Sequence, residues 1–147
     1  MPQAIAAPLE HLARLVVKNG VSLGLSAEPE RQLALAWVWA GLRAGRVMNE
    51  TDVNNALKAQ LAAPVACLQT DHVELRRWLV DAGWLQRDGY GREYRCAPAP
   101  AAHAAWAEAL RAFDTTAWTA DRRNAHEAGR EARRQRWEKQ QACTGTA

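Results

Sequence analysis

Apolar residues recur along this chain at helical spacing, and the breaks in that rhythm divide it into short helices and one hairpin. Leu9, Leu12 and Val16 predict a first helix over residues 8–18, ended by Asn19-Gly20. Residues 21–25 then form a short, extended link. Ser26 and Pro29 mark the first turn of a second helix, with Leu35, Val38, Trp39 and Leu42 on one face. Gly41 is tolerated inside this helix, and Gly45 is its expected stop. Arg46-Val47-Met48 fits a minimal edge strand. Asn49, with Asp52 three residues later, is an N-cap signal. Val53, Leu57 and Leu61 then give a third helix over 50–61. After a connection over 62–70 containing Pro64, Asp71 caps a fourth helix, and Glu74 holds the reciprocal position of a capping box. Leu75, Trp78, Leu79 and Ala82 form its expected buried stripe, closed by Gly83.

The next stretch changes character. Two short runs, 84–87 and 92–96, flank Asp88-Gly89-Tyr90-Gly91, and Asp-Gly between runs bearing aromatic residues predicts a hairpin. Pro98 and Pro100 interrupt the chain. Trp106, Leu110 and Phe113 give a helix over 103–113. Residues 118–141 form a longer alanine- and arginine-rich helix. Its apolar stripe is only Ala125, Ala128 and Ala132, so it is expected to protrude and to fray in part.

Helix, tiny strand, helix, helix, hairpin is the order of a winged helix-turn-helix. The expected fold is therefore mainly α: a winged helix-turn-helix core with an N-terminal helix and a C-terminal helical extension. The units expected are 1–22, the N-terminal helix; 23–97, the winged-helix domain; and 98–147, the extension with its basic tail. A chain of 147 residues suits one such domain with extensions. Phenylalanine occurs once and tryptophan seven times, so tryptophans must fill much of the core. Core packing is the first expectation for Trp37, Trp39, Trp78 and Trp84, with a small effector pocket or a dimer face as alternatives.

Other totals narrow the functional classes. The longest apolar run, over 33–42, is too short to span a bilayer, and the first nine residues lack a signal peptide's basic start. A cytoplasmic protein without membrane contact is expected. Cys67, Cys96 and Cys143 form no CxxC pair, and His11, His72, His103 and His126 have no metal spacing, so no disulfide, metal or cofactor is expected. No P-loop, dinucleotide fingerprint or nucleophile elbow is present, which points away from an enzyme. The formal net charge of +3 is unevenly placed. Seven basic residues over 121–139 outnumber four acidic ones, so the excess sits in the C-terminal tail.

The last helix of a winged-helix trio is the one that enters a major groove. Its face opposite the buried stripe carries His72, Val73, Arg76, Arg77 and Val80. The arginine fork suits guanine or phosphate, although pairing with Asp71, Glu74 or Asp81 would explain the same residues. Arg87, Arg92 and Arg95 decorate the wing, as backbone contacts or as solvated charges beside Asp88 and Glu93. Asn54 is a candidate for a phosphate or base edge, or for a bond to a neighbouring loop. In the tail, Arg130, Arg133 and Arg134 share a side with Trp137, and they either follow a phosphate backbone or form a solvated face.

Several of these positions together resemble domain-of-unknown-function family 2087. The matching residues are Gly45-Arg46-Val47-Met48-Asn49-Glu50, then Asp52-Val53-Asn54 and Leu57, then Asp71, Leu75-Arg76-Arg77 and Leu79-Val80-Asp81, and finally Leu85, Arg87, Gly91 and Tyr94-Arg95. The resemblance covers about residues 23–95. It implies a prokaryotic, winged-helix-like domain found in some transcriptional regulators, for which nucleic-acid binding is proposed. The family has an aromatic residue where this chain has Met48, and a basic stretch where this chain has Ser26-Ala27-Glu28-Pro29-Glu30-Arg31. The expected function is a DNA-binding transcriptional regulator using helix 71–82 and wing 84–96, with duplex DNA favoured over RNA. The alternative is a non-enzymatic protein-interaction module, its partner or second copy held by the Trp-bearing faces or the C-terminal helix.

Overall fold

Two side-chain caps set the centre of the molecule. In the computed structural model, which describes residues 3–144, Asn49 Oδ1 accepts from the Asp52 amide at 2.8 Å, and Asp52 returns a bond to the Asn49 amide. This full capping box starts α3 (Glu50–Ala62). Asp71 Oδ1 likewise accepts from the Glu74 amide at 2.7 Å and starts α4 (His72–Asp81). The expected reciprocal bond from Glu74 is not made; its carboxylate accepts from the Thr70 hydroxyl at 3.0 Å instead. Gly83, at φ +86°, takes the left-handed position that ends α4.

The remaining elements are α1 (Gln3–Leu15), α2 (Glu28–Gly41), β1 (Leu85–Arg87), β2 (Tyr94–Cys96), α5 (Ala104–Leu110) and α6 (Thr115–Thr144). The described residues are mainly helical, with one small antiparallel hairpin in which Leu85 faces Cys96, Gln86 faces Arg95 and Arg87 faces Tyr94. Met48 exchanges two 2.8 Å backbone bonds with Tyr94, so the expected third strand exists as a single bridge. The arrangement of α2, α3, α4 and hairpin is winged-helix-like. Residues 1–2 and 145–147, at the outer ends of the N-terminal and C-terminal units, lie outside the described residues.

Some boundaries differ from expectation for physical reasons. α1 starts at Gln3, five residues earlier, because Ile5 is buried and extends the apolar stripe. It ends earlier too, since the chain turns at 16–20 to let Val21 bridge Leu68. α2 stops at Gly41, not Gly45. Leu42 turns extended and buries its side chain, leaving Gly45 in the following loop. Its N-cap, Ala27, makes no side-chain bond; Ser26 bonds the Ser22 carbonyl instead. α6 begins at Thr115, three residues before the expected start, because the Asp114 carboxylate accepts from the Ala117 amide at 3.0 Å. It is one continuous 30-residue helix.

One core joins α1, α2, α3, α4, the hairpin and α5. Trp37, Trp39 and Trp84 are fully buried, and each indole N–H is satisfied. They donate to Thr119 Oγ1 (3.1 Å), the Ala97 carbonyl (2.9 Å) and Gln32 Oε1 (2.9 Å). Trp78 departs from its expected place in the buried stripe of α4: it is half-buried, with the Arg31 guanidinium 4.8 Å above its ring.

Two sites in this core give direct predictions. A β-carbon on Gly41 would collide with the Gln60 amide nitrogen and come within 3.0 Å of Thr115 Oγ1. The Gln60 amide is the far end of a flexible side chain and must shift to admit it, so Gly41→Ala should destabilise by no more than about 1 kcal/mol, partly offset by alanine's better helix propensity. Urea unfolding that showed equal or greater stability would remove the close approach as a constraint. Cys67 is buried beside the Val21 bridge, and burial pushes its thiol up to about 11. Burial raises the Cys96 thiol as well, while Cys143 is exposed on α6. Because the thiolate is the nucleophile, native protein at pH 8 should present one fast thiol, Cys143. Cys67 should react at least about a hundredfold more slowly until the chain unfolds. Counting modified thiols with time, with peptide mapping, checks this; rapid native-state labelling of Cys67 would contradict it.

Candidate nucleic-acid interface

α4 packs on α3 and buries Leu75 and Leu79 in the shared core, while its other face meets the hairpin and solvent. Val73, Arg76, Arg77, Val80 and Asp81 of α4, with Arg87 and Tyr94 of the hairpin, line a cleft of about 120 Å³. Arg77 and Arg87 are exposed on its two sides. Among the described residues neither enters an ion pair or a side-chain hydrogen bond. Val73 is 42% exposed, enough to present a methyl surface beside Arg77. His72 is half-buried at the first turn.

Arg76 occupies a different environment. Its Nη1 donates to Asn54 Oδ1 at 2.6 Å and lies 3.5 Å from the Glu50 carboxylate, and its guanidinium sits 5.4 Å from the Tyr94 ring. Only 17% of its side chain is exposed. Arg76 and Asn54 therefore tie α3, α4 and β2 together. The Asn54 amide oxygen is held by α4, not by a neighbouring loop.

The hairpin tip is organised by Asp88. Its carboxylate accepts from the Arg92 amide at 2.7 Å, which holds the carboxyl below the ordinary aspartate range. Gly91, at φ +69°, completes the turn, with the Arg87 side chain running alongside it. Arg92 lies 5.8 Å from the Tyr90 ring, and that ring is exposed. Arg95 pairs with Gln86 across the strands, so alternation places it on the sheet face opposite Arg87 and Tyr94. It does not join the cleft.

Arg130, Arg133 and Arg134 sit far along the chain from the cleft, on α6. The helix is anchored at its start by Thr115 and Thr119, by Trp118 edge-on to Trp37 at 5.1 Å, and by Arg123 donating to the Val16 carbonyl at 2.9 Å. Beyond Arg123 its side chains are exposed, apart from half-buried Gly129 and Glu131. Arg134 is paired with Glu131 on its own helix. Among the described residues Arg130 and Arg133, like Arg136 and Lys139, enter no ion pair, and Trp137 on the same helix is 61% exposed.

The sequence reading gave no role to two residues of this surface. Glu50 neutralises part of Arg76, and Tyr94 lines the cleft beneath the Arg76 guanidinium. No local signal marks these roles, because each depends on a neighbour in another element.

A three-helix unit with a short hairpin beside its last helix defines a small winged-helix-like domain. Residues 26–96, which span this unit, match the model of the family DUF2087, described as an uncharacterized protein conserved in bacteria. No curated protein and no solved structure matches the chain. Among the described residues no helix is long and apolar enough to cross a membrane.

Proposed function

We propose that this chain is a non-enzymatic, cytoplasmic regulator of transcription that binds duplex DNA through α4 and the hairpin. The observation that carries this reading is the pair Arg77 and Arg87, exposed and unpaired on either side of the α4–hairpin cleft. A helix presenting arginine and valine suits a major groove, where the guanidinium meets guanine or phosphate and an apolar side chain meets the thymine methyl. Duplex RNA denies that groove to side chains. Arg76 contributes by fixing α4 on α3 and the hairpin, not by reaching outward. Arg92 reaches backbone beside the hairpin tip, and Arg130 and Arg133 add phosphate contacts from α6.

The test is recovery of sheared genomic DNA on the full chain at about 150 mM salt, followed by sequencing and by anisotropy on the enriched sites. Discrete sites should be enriched. Arg77→Ala with Arg87→Ala should weaken binding at least about tenfold and flatten the salt dependence. Arg95→Ala, on the other sheet face, should change little. No recovery, or unchanged affinity in the folded double variant, sinks this reading.

A second reading is a protein-interaction module. Over 71–96, five arginines face five carboxylates, so the α4–hairpin unit is formally neutral. Val47, Val73 and Tyr90 are exposed apolar surface. Partner capture abolished by Val73→Asp and Tyr90→Asp, in the absence of DNA binding, would establish this alternative.

A further inference from the structure

On a different side of the molecule, α1, α2 and the start of α5 line an open pocket of about 320 Å³, within the range that holds small organic ligands. Pro8, Leu33 and Trp106 give it apolar walls, and Glu28, Gln32 and His11 form its polar rim. Glu28 is the carboxylate of the lining, which holds no lysine or arginine among the described residues.

The polar edge is held in place before any ligand arrives. Trp84 Nε1 donates to Gln32 Oε1 at 2.9 Å, and Gln32 Nε2 donates to Glu28 Oε1 at 2.8 Å. Arg31 Nη1 donates to the other carboxylate oxygen at 3.0 Å. A carboxylate has about four acceptor sites, so further capacity remains on Glu28. The aromatic side is equally fixed. His103 stacks on Trp84 at 5.9 Å and meets Trp106 edge-on at 5.4 Å.

We propose that this pocket binds a small organic cation: one aromatic ring bearing an ammonium group. The ring fills the space against Pro8, Leu33 and Trp106. The ammonium is drawn by the fixed Glu28 carboxylate and by the electron-rich face of Trp106. An anion of the same shape meets the Glu28 carboxylate, whose ion-pair partner Arg31 lies outside the lining. Gln32 then connects the occupied rim to Trp84, at the start of the hairpin. The site goes beyond the nucleic-acid reading and does not depend on it.

The experiment titrates the full chain with three probes of similar shape: 2-phenylethylammonium, neutral 2-phenylethanol and anionic phenylacetate. Binding is read by saturation-transfer NMR and by indole fluorescence, with no nucleic acid present. The ammonium should bind about fivefold or more tightly than the alcohol, and phenylacetate should not bind measurably. Glu28→Gln should bring the ammonium down to the affinity of the alcohol. Ala7→Leu, which adds volume at the exposed rim, should weaken both probes while leaving the thermal midpoint near that of the parent. The proposal is overturned by no ammonium binding at millimolar concentration, by equal or tighter binding of phenylacetate, or by unchanged ammonium affinity in both variants. Each of these outcomes leaves the DNA experiment independent.

Discussion

Trp39→Ala is expected to destabilise the chain by about 3–5 kcal/mol, a large share of the 5–15 kcal/mol that holds a typical domain together. Trp39 is 1% exposed and sits where α2, the hairpin and the C-terminal segment converge. Its ring meets Trp84 edge-on at 5.3 Å, the Arg111 guanidinium lies 3.7 Å from its centroid, and its Nε1 donates to the Ala97 carbonyl at 2.9 Å. Truncation to alanine empties that volume, leaves the Ala97 carbonyl without this donor, and removes the face that Arg111 covers. Three losses fall on one site, so the cost should lie in the upper part of the range for buried side chains.

Two companion variants separate these terms. Trp39→Phe keeps an aromatic ring and removes the N–H, and should cost less, about 1–2 kcal/mol. Trp137→Ala, on the exposed part of α6, should stay within about 0.5 kcal/mol of the parent. Urea unfolding followed by far-UV dichroism measures all three. A Trp39→Ala midpoint within error of Trp137→Ala would show that the tryptophan cluster does not hold the core.

What the sequence disclosed, and what it hid, follows from the range of each interaction. Asn49 with Asp52, and Asp71 before Leu75, announce helix starts because both partners lie within four residues. Asp88-Gly89 announced the hairpin for the same reason, although the structure puts the left-handed position at Gly91. The end of α2 was hidden because its cause is spatial: Leu42 leaves the helix to bury its side chain in the shared core. Arg76 looked like a base-reading residue because its sequence neighbours are uninformative. Its real partners, Asn54 and Glu50, lie on another helix. Arg77, one position on, faces outward because 100° of helical rotation takes it off that seam. The candidate face was therefore legible, while the division of labour between adjacent arginines was not.

Arg31→Ala should cost about 2–4 kcal/mol, although the sequence presents this residue only as part of a mixed-charge stretch. The structure makes it a junction. Its Nε donates to the Leu23 carbonyl at 2.9 Å and its Nη2 to the Ser26 carbonyl at 2.9 Å. Nη1 bonds Glu28 at 3.0 Å, and the guanidinium lies 4.8 Å from the Trp78 ring of α4. One side chain, 20% exposed, thus fastens the segment before α2 and covers the indole on α4. Arg31→Ala leaves two part-buried carbonyls without these donors and strips the cover from Trp78. The ion pair with the exposed Glu28 carries little of this, so Glu28→Ala should cost under about 1 kcal/mol. Arg31→Lys is the discriminating variant. A point-charge ammonium cannot reproduce a planar fork aimed at two carbonyls, so lysine should recover less than half of the loss. If Arg31→Lys unfolds with the parent, the charge alone matters and the fork geometry does not. If Arg31→Ala is also neutral, the junction carries no stability, and the half-buried position of Trp78 must be held by α4 itself.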